Sequence, residues 1–373
     1  YHTLDSIRFI LSSGHTYDTS VQSHYQIFNE KESVLSEAIL RCKREIESNH
    51  NLANKIRAKY RIKNTLGYSL NSFLDYDHPL DIFAHLLVGA EGTLAFISQV
   101  TLNTIPDPPR KITGLVLFDS VDKTIQALPM LIDAGADAVE LLDDASLRTV
   151  RYLKTPLFDP KIIRTDMAGL LFEFQKYNQD SVDELVKNIP IELQKVGCVL
   201  SFGPTEDEAT RIQLWNLRKG LYPTVGAMRE KGTSVITEDL CYHYNDLPEV
   251  VKELRIICQK WRYDDSVIFG HAKEGNLHFA ASMDFNSSDG VKRFDGLLKD
   301  MAELTVDKFN GSLKAEHGTG RNMAPFVEYE WGGELYQIMW KIKQNADPEG
   351  ILNPDVLLTK DQKLHLKNLK PIP

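Results

Sequence analysis

The chain has 373 residues, with 43 basic against 52 acidic side chains and a formal charge of -9. That length exceeds one ordinary core and suits two domains, each able to bury substantial apolar area without staples. An acidic balance with no dense Lys/Arg stripe argues against nucleic acid as a partner.

Cys42, Cys198, Cys241 and Cys258 lie far apart and form no CxxC pair. Neither a disulfide framework nor a thiolate metal site is indicated, and a reducing cytoplasm fits best. No apolar run approaches the roughly 18 residues that span a bilayer, and the first residues show no basic stretch followed by an apolar one. Peripheral contact at the inner face of a membrane and a homodimer both stay compatible with this surface.

Tyr1 opens without an initiator Met and runs at once into the strand pattern of residues 6–11 and a Ser-Gly turn, as if entering a domain partway. Val34, Leu35, Ala38, Ile39, Cys42 and Ile46 recur at three- and four-residue spacing, which predicts an amphipathic helix covering a sheet face. Across residues 61–105, Gly67, Gly89 and Gly92 punctuate apolar runs that end in a β-rich stretch at 94–102. Glycine there predicts backbone close to a ligand. Pro106, Pro108 and Pro109 cannot continue a ladder and mark a domain boundary.

Beyond it, the pattern predicts strands at 114–118, 170–174, 198–202, 234–237, 267–269 and 277–283. Helices are predicted at 120–134, 183–196, 247–261 and 291–309, with another opened by Thr205 as its cap. The alternation predicts an α+β fold with helices on one face of a largely antiparallel sheet. Residues 363–373 have the Lys and Pro content of a linker.

The richest stretch is Gly270-His271-Ala272-Lys273-Glu274-Gly275-Asn276-Leu277-His278, two imidazoles around a Gly/Asn turn between apolar strands. Seven-residue spacing would also align them on a helix, but Gly270 and Gly275 argue against one. Ala315-Glu316-His317-Gly318-Thr319-Gly320 adds a carboxylate beside another imidazole in a glycine-bordered loop. His271, His278 and Glu316 with an open coordination position suit Zn²⁺ and, less specifically, Mn²⁺ or Fe²⁺. Such an ion could bind the hydroxyl and carboxylate oxygens of a 2-hydroxy acid and acidify the hydroxyl, and by spacing alone a metal-dependent hydrolase fits equally well.

These two motifs, with Lys63-Asn64-Thr65-Leu66-Gly67-Tyr68-Ser69-Leu70, Val88-Gly89-Ala90-Glu91-Gly92-Thr93-Leu94 and Asp347-Pro348-Glu349-Gly350-Ile351-Leu352-Asn353-Pro354 in the same order, resemble the FAD-linked oxidases of the vanillyl-alcohol oxidase/PCMH superfamily. The resemblance covers essentially the whole chain and points to the D-lactate, glycolate and D-2-hydroxyglutarate dehydrogenase branch. It implies the C-terminal part of a PCMH-type FAD-binding domain at 1–107 and a ferredoxin-like antiparallel-sheet substrate (cap) domain at 108–338. A segment at 339–358 would return to the FAD domain, and a linker at 359–373 would lead toward an iron–sulfur domain outside this chain.

By the same resemblance, His271, His278 and Glu316 hold Zn or Mn, and His317 is the general base, while Arg218 and Asn276 contact the substrate. Lys63, Asn64, Thr65, Gly67, Tyr68, Gly89, Glu91, Gly92, Thr93, Ile97 and Asn353 then lie at the FAD. The implied reaction moves the C2 hydride of a D-2-hydroxy acid to the flavin as the base takes the hydroxyl proton. A bidentate guanidinium suits the substrate carboxylate. Electrons would leave to iron–sulfur clusters or a quinone.

Some positions depart from the family. Glu274 stands where Asp is common and Ala90 where Ser is usual, while Thr237 and Tyr222 replace the Lys and Thr of the hydroxyglutarate enzymes. A copied hydroxyglutarate pocket is therefore not expected. No glycine-rich pyrophosphate loop precedes Tyr1, so the chain alone is expected to hold FAD weakly or to be an inactive fragment.

Overall fold

Ile7, Phe9 and Leu11 are buried and alternate with more exposed neighbours, which makes β1 (Leu4–Ile10) a half-buried strand. The computed structural model that shows this describes residues 1–152 and 157–370. They divide into two units, one of Tyr1–Ile105 with Gly311–Asn368 and one centred on Pro106–Asn310.

In the first unit, β1 turns at Ser13-Gly14 into β2 (Thr16–Asp18). There follow α1 (Gln22–Lys31), α2 (Ser33–Ser48), α3 (His50–Lys59), α4 (Ser72–Asp75) and α5 (Pro79–Leu86). β3 (Phe96–Leu102) then completes an antiparallel sheet in the order β2-β1-β3. The predicted stripe of α2 is buried at Leu35, Ala38, Ile39, Cys42 and Ile46, but Val34 faces outward. Contrary to expectation, α2 packs on α1, α3, α4, α5 and, most extensively, the helix at Gly333–Ala346 rather than on a sheet. An apolar stripe specifies burial, not the kind of element that buries it.

The second unit runs β4 (Arg110–Phe118), α6 (Val121–Gln126), α7 (Leu128–Asp133), β5 (Ala138–Asp143), α8 (Asp144–Arg148), β6 (Ala168–Lys176), α9 (Gln179–Val196), β7 (Leu200–Thr205), α10 (Glu208–Lys219), α11 (Leu221–Met228), β8 (Ser234–Cys241), α12 (Leu247–Lys260), β9 (Val267–His271), β10 (Asn276–Met283) and α13 (Ser288–Glu303). Its sheet has the order β7-β4-β6-β5-β9-β10-β8, with every pairing antiparallel. The spatial order β7-β4-β6-β5 is the ferredoxin-like split arrangement. The run β8-α12-β9-β10, ordered β9-β10-β8, repeats its first three strands, and the halves join where β5 pairs with β9.

Four expectations need correction in this unit. Ile112, Leu115, Val116, Leu117 and Phe118 are all buried although successive side chains point to opposite faces, so both faces are covered, not one. β5 was not foreseen because Glu140 and Asp143 interrupt its apolar pattern. The predicted 120–134 helix is two short ones, with Pro129 in the first turn of the second. Finally, Asp207, not Thr205, caps α10, its carboxylate accepting from the Thr210 amide at 2.8 Å.

The chain rejoins the first unit through α14 (Gly320–Met323), α15 (Val327–Trp331) and α16 (Gly333–Ala346). It does so from Gly311, well before the expected return at 339. Buried hydrogen bonds explain why. Lys59 Nζ donates to the Gly311 carbonyl at 2.5 Å, the Thr65 amide to the Lys314 carbonyl at 2.8 Å, and the Leu313 amide to Glu330 at 2.7 Å. Nor is 359–370 a linker: Thr359, Leu364 and His365 are buried, and Tyr336 Oη donates to the Thr359 carbonyl at 2.6 Å. The last three residues of that expected linker, 371–373, lie outside the described residues. Among the described residues no helix is long and apolar enough to cross a membrane.

Candidate functional site

The second unit turns β9 directly into β10, so His271 ends one strand and Asn276 begins the next. Gly275 makes the turn at φ 70°, and a Cβ there would collide with the Tyr242 carbonyl. Strand register then decides which side chains meet. Glu140 of β5 stands opposite His271, and Asp239 of β8 opposite His278. Residues paired in this way share a face of the sheet.

Glu140 is buried and accepts twice, from His271 Nδ1 at 2.5 Å on Oε1 and from Arg218 Nε at 2.6 Å on Oε2. Burial pushes its carboxyl up, but the His271 hydrogen bond and the Arg218 charge outweigh this and hold it below the ordinary range. The Arg218 guanidinium lies over the Phe269 ring, 4.6 Å from its centre. The His271 and His278 rings are edge to face with centres 5.2 Å apart. His278 Nδ1 lies 3.4 Å from Asp239 Oδ1, which also accepts from Asn276 Nδ2 at 2.7 Å. Asn276 is fully buried, and its Oδ1 has no hydrogen-bond partner among the described residues.

Two imidazoles, each with a buried carboxylate near Nδ1, form a donor set that fits a divalent cation, because such carboxylates orient metal-binding histidines and raise their basicity. Arg218 spends only Nε on Glu140, so the Nη edge of its fork suits a carboxylate. The second unit thus brings together Arg218, His271, Asn276 and His278. Glu140 and Asp239 were missed: the first sits on an unforeseen strand, and the second is recognisable only by its cross-strand partner.

In the first unit, Lys63 Nζ donates to Glu316 Oε2 at 3.0 Å, and His317 Nε2 lies 4.0 Å from Glu316 Oε1, with both Glu316 and His317 exposed. The other residues implied at the flavin mostly bond within the unit. Asn64 Nδ2 donates to Glu330 at 2.7 Å, and Thr65 Oγ1 accepts from the Gly318 amide at 3.2 Å. Tyr68 and Thr93 are buried with their hydroxyls 2.9 Å apart. Glu91 accepts from the Gly320 amide at 3.0 Å, and Asn353 Nδ2 donates to the Glu91 carbonyl at 2.7 Å. Beneath the loop, Lys343 Nζ donates to the Thr93 and Leu352 carbonyls, each at 2.7 Å, and to Asp347 at 2.5 Å. That lysine too was missed, although its i,i+4 spacing to Asp347 was a usable signal.

Gly67 serves packing, since a Cβ there would lie 2.7 Å from Met339 Sδ. Gly89 and Gly92 differ: at φ 80° and 72° they face open space, with no heavy atom within 4 Å of a built Cβ. On the strand that follows, Phe96, Ile97, Val100 and Leu102 are exposed. An open backbone loop followed by apolar surface fits a flat cofactor such as a flavin.

The chain matches the family of FAD linked oxidases, C-terminal domain, over residues 107–357. It is 28% identical over 281 residues to the glycolate oxidase subunit GlcD of Bacillus subtilis (strain 168), covering 74% of this chain and 57% of that protein. Identity to the D-2-hydroxyglutarate dehydrogenase of Stutzerimonas stutzeri (strain A1501) is 27% over 300 residues, covering 79% of this chain and 59% of that one. With the mitochondrial D-lactate dehydrogenase [cytochrome] 1 of Saccharomyces cerevisiae it is 24% over 304 residues, covering 80% and 48%. The chain spans about half the length of the curated relatives it matches. Among solved structures, substrate-bound p-cresol methylhydroxylase shares the fold at a TM-score of 0.60 and 13% identity, over 95% of this chain and 65% of that one.

Proposed function

Because the chain belongs to the FAD-linked oxidases through their C-terminal domain, we propose that it forms the substrate-handling part of a flavoenzyme oxidising a D-2-hydroxy acid, of the lactate or 2-hydroxyglutarate type, to the 2-keto acid. The observation that carries this reading is the arrangement of Arg218, Glu140, His271 and His278 on one sheet face. It offers a guanidinium for a carboxylate beside imidazoles for a cation, which are the two demands of a 2-hydroxy acid. Relatives named for glycolate, D-lactate and D-2-hydroxyglutarate support the class and leave the acid open.

In this reading FAD supplies the hydride acceptor and a divalent ion, Zn or Mn, supplies Lewis acidity at the hydroxyl. His271 and His278 hold the ion, with Glu316 added by the family resemblance. Arg218 binds and orients the carboxylate through its Nη groups. Asn276, whose buried Oδ1 has no hydrogen-bond partner among the described residues, is assigned to the substrate. His317 receives the hydroxyl proton on an imidazole nitrogen. The flavin is held by the 63–68 and 89–93 loops and Asn353, with Ile97 on the strand beyond. The electrons pass on to an iron–sulfur domain or a quinone, and a cytoplasmic enzyme touching the inner membrane face suits that hand-off.

The test is anaerobic mixing of the full-length, FAD-loaded protein with D-lactate, glycolate or D-2-hydroxyglutarate. Bleaching of the visible flavin absorbance by at least one acid is the expected result. An unchanged spectrum with all three, or ester hydrolysis without flavin, would overturn the reading.

A further inference from the structure

Glu140 lies on a strand that no sequence pattern announced, and it belongs to no motif tied to the reaction. Yet it touches both His271 and Arg218, through different oxygens, at 2.5 and 2.6 Å. The carboxylate is buried, with 4% exposure. A buried carboxylate is costly unless donors satisfy it, and here the two donors are a candidate metal ligand and a candidate substrate clamp. We infer that Glu140 is a positioning residue that fixes, with one side chain, the nitrogen His271 presents to a cation and the edge Arg218 presents to a carboxylate. This rests on the proposed function for the identity of the two ligands.

An ionised carboxylate only accepts, so in this hydrogen bond His271 donates from Nδ1, which makes Nε2 the ring nitrogen able to ligate a cation. The same side chain takes the Nε–H of Arg218, and the Phe269 ring beneath, 4.6 Å from the guanidinium carbon, sets the plane of the fork. The Nη edge is thereby turned to other partners. One carboxylate thus couples two binding events, and a change at Glu140 must disturb both.

Nothing else among the described contacts explains why this position is acidic. The buried Asp143, three residues further along β5, accepts from the Ser146 and Ile268 amides and from Arg255, and so serves the start of α8. Glu140 caps no helix in the described hydrogen bonds and accepts no backbone amide there.

The decisive measurement is ¹⁵N imidazole NMR of the metal-free wild-type chain. His271 is expected as the Nδ1–H tautomer, and the Nε2–H tautomer would overturn the inference without any variant having to fold. The second measurement titrates Zn²⁺ alone by calorimetry. Glu140→Gln keeps the shape but can accept on one atom only, so Zn²⁺ affinity should fall by roughly 10–100-fold, and Glu140→Asp, which retains two acceptors, should recover part of it. In the loaded full-length enzyme, Glu140→Gln should also raise KM for the acid. Zn²⁺ affinity within about twofold of wild type in a folded Glu140→Gln variant would leave only a structural role and overturn the inference. If the tautomer and the Zn²⁺ loss appear while no 2-hydroxy acid is oxidised, the proposed function fails and the positioning role stands.

Discussion

Polar residues of the same types do different work in the two units. In the second, His271, His278, Asn276 and Arg218 are held by strands and a helix, with the buried carboxylates of Glu140 and Asp239 behind the rings. In the first, Asn64, Thr65, Tyr68, Glu91, Thr93 and Asn353 sit on loops and are spent largely on one another and on nearby amides. A sheet satisfies its own backbone, so its side chains are available for chemistry. A loop must find partners for its backbone, and nearby polar side chains supply them. The surface proposed to face the flavin in the first unit is therefore more backbone than side chain, with Lys63, Glu316 and His317 as the exceptions.

The sharpest way to break this contrast is at His317, a loop residue assigned chemistry rather than scaffolding. His317→Ala should lower kcat by about 10²–10⁴-fold while Zn²⁺ binding persists, because base and ligands are separable. Loss of Zn²⁺ in calorimetry would instead make His317 a ligand.

A smaller effect is expected where the loops are most evidently scaffold. Lys343→Met removes the cation from three acceptors and leaves Asp347 buried, at a cost of about 3–5 kcal/mol in urea unfolding, with kcat changed mainly through flavin retention. Burial pushes the Asp347 carboxyl up, but Lys343 and the Leu352 and Ile351 amides hold it below the ordinary range. A depressed folded value means that its stabilisation is complete above the unfolded value of about 4 and is lost as pH falls through the lower folded value. That acid limb should be missing in Lys343→Met. An unchanged pH–stability curve would show that the buried pair does not hold the loop.

The mildest test compares two glycines, both in the left-handed region. Gly89→Ala meets open space and should cost only the backbone strain of about 1–2 kcal/mol, whereas Gly275→Ala adds a collision with the Tyr242 carbonyl and should cost clearly more. Flavin titration separates them further: Gly89→Ala should weaken FAD binding in the full-length protein, and Gly275→Ala should not. Equal losses of stability would refute the open-loop description of Gly89.

Residue types and their spacing were enough to place the boundary at Pro106 to Pro109, the antiparallel sheet beyond it and the imidazole hairpin at 270–278, while the family came from the resemblance of whole motifs in order. All of these are local signals: glycine and proline restrict φ, periodicity shows which face is buried, and a clustered set of His and Glu is unusual chemistry. The return to the first unit at Gly311, the strand carrying Glu140, the pairing of Asp239 with His278 and the hold of Lys343 on the Thr93 loop were decided only in three dimensions. Each depends on contacts between residues tens to hundreds of positions apart, and β-strand register and buried charge pairing leave no periodic trace in either segment alone.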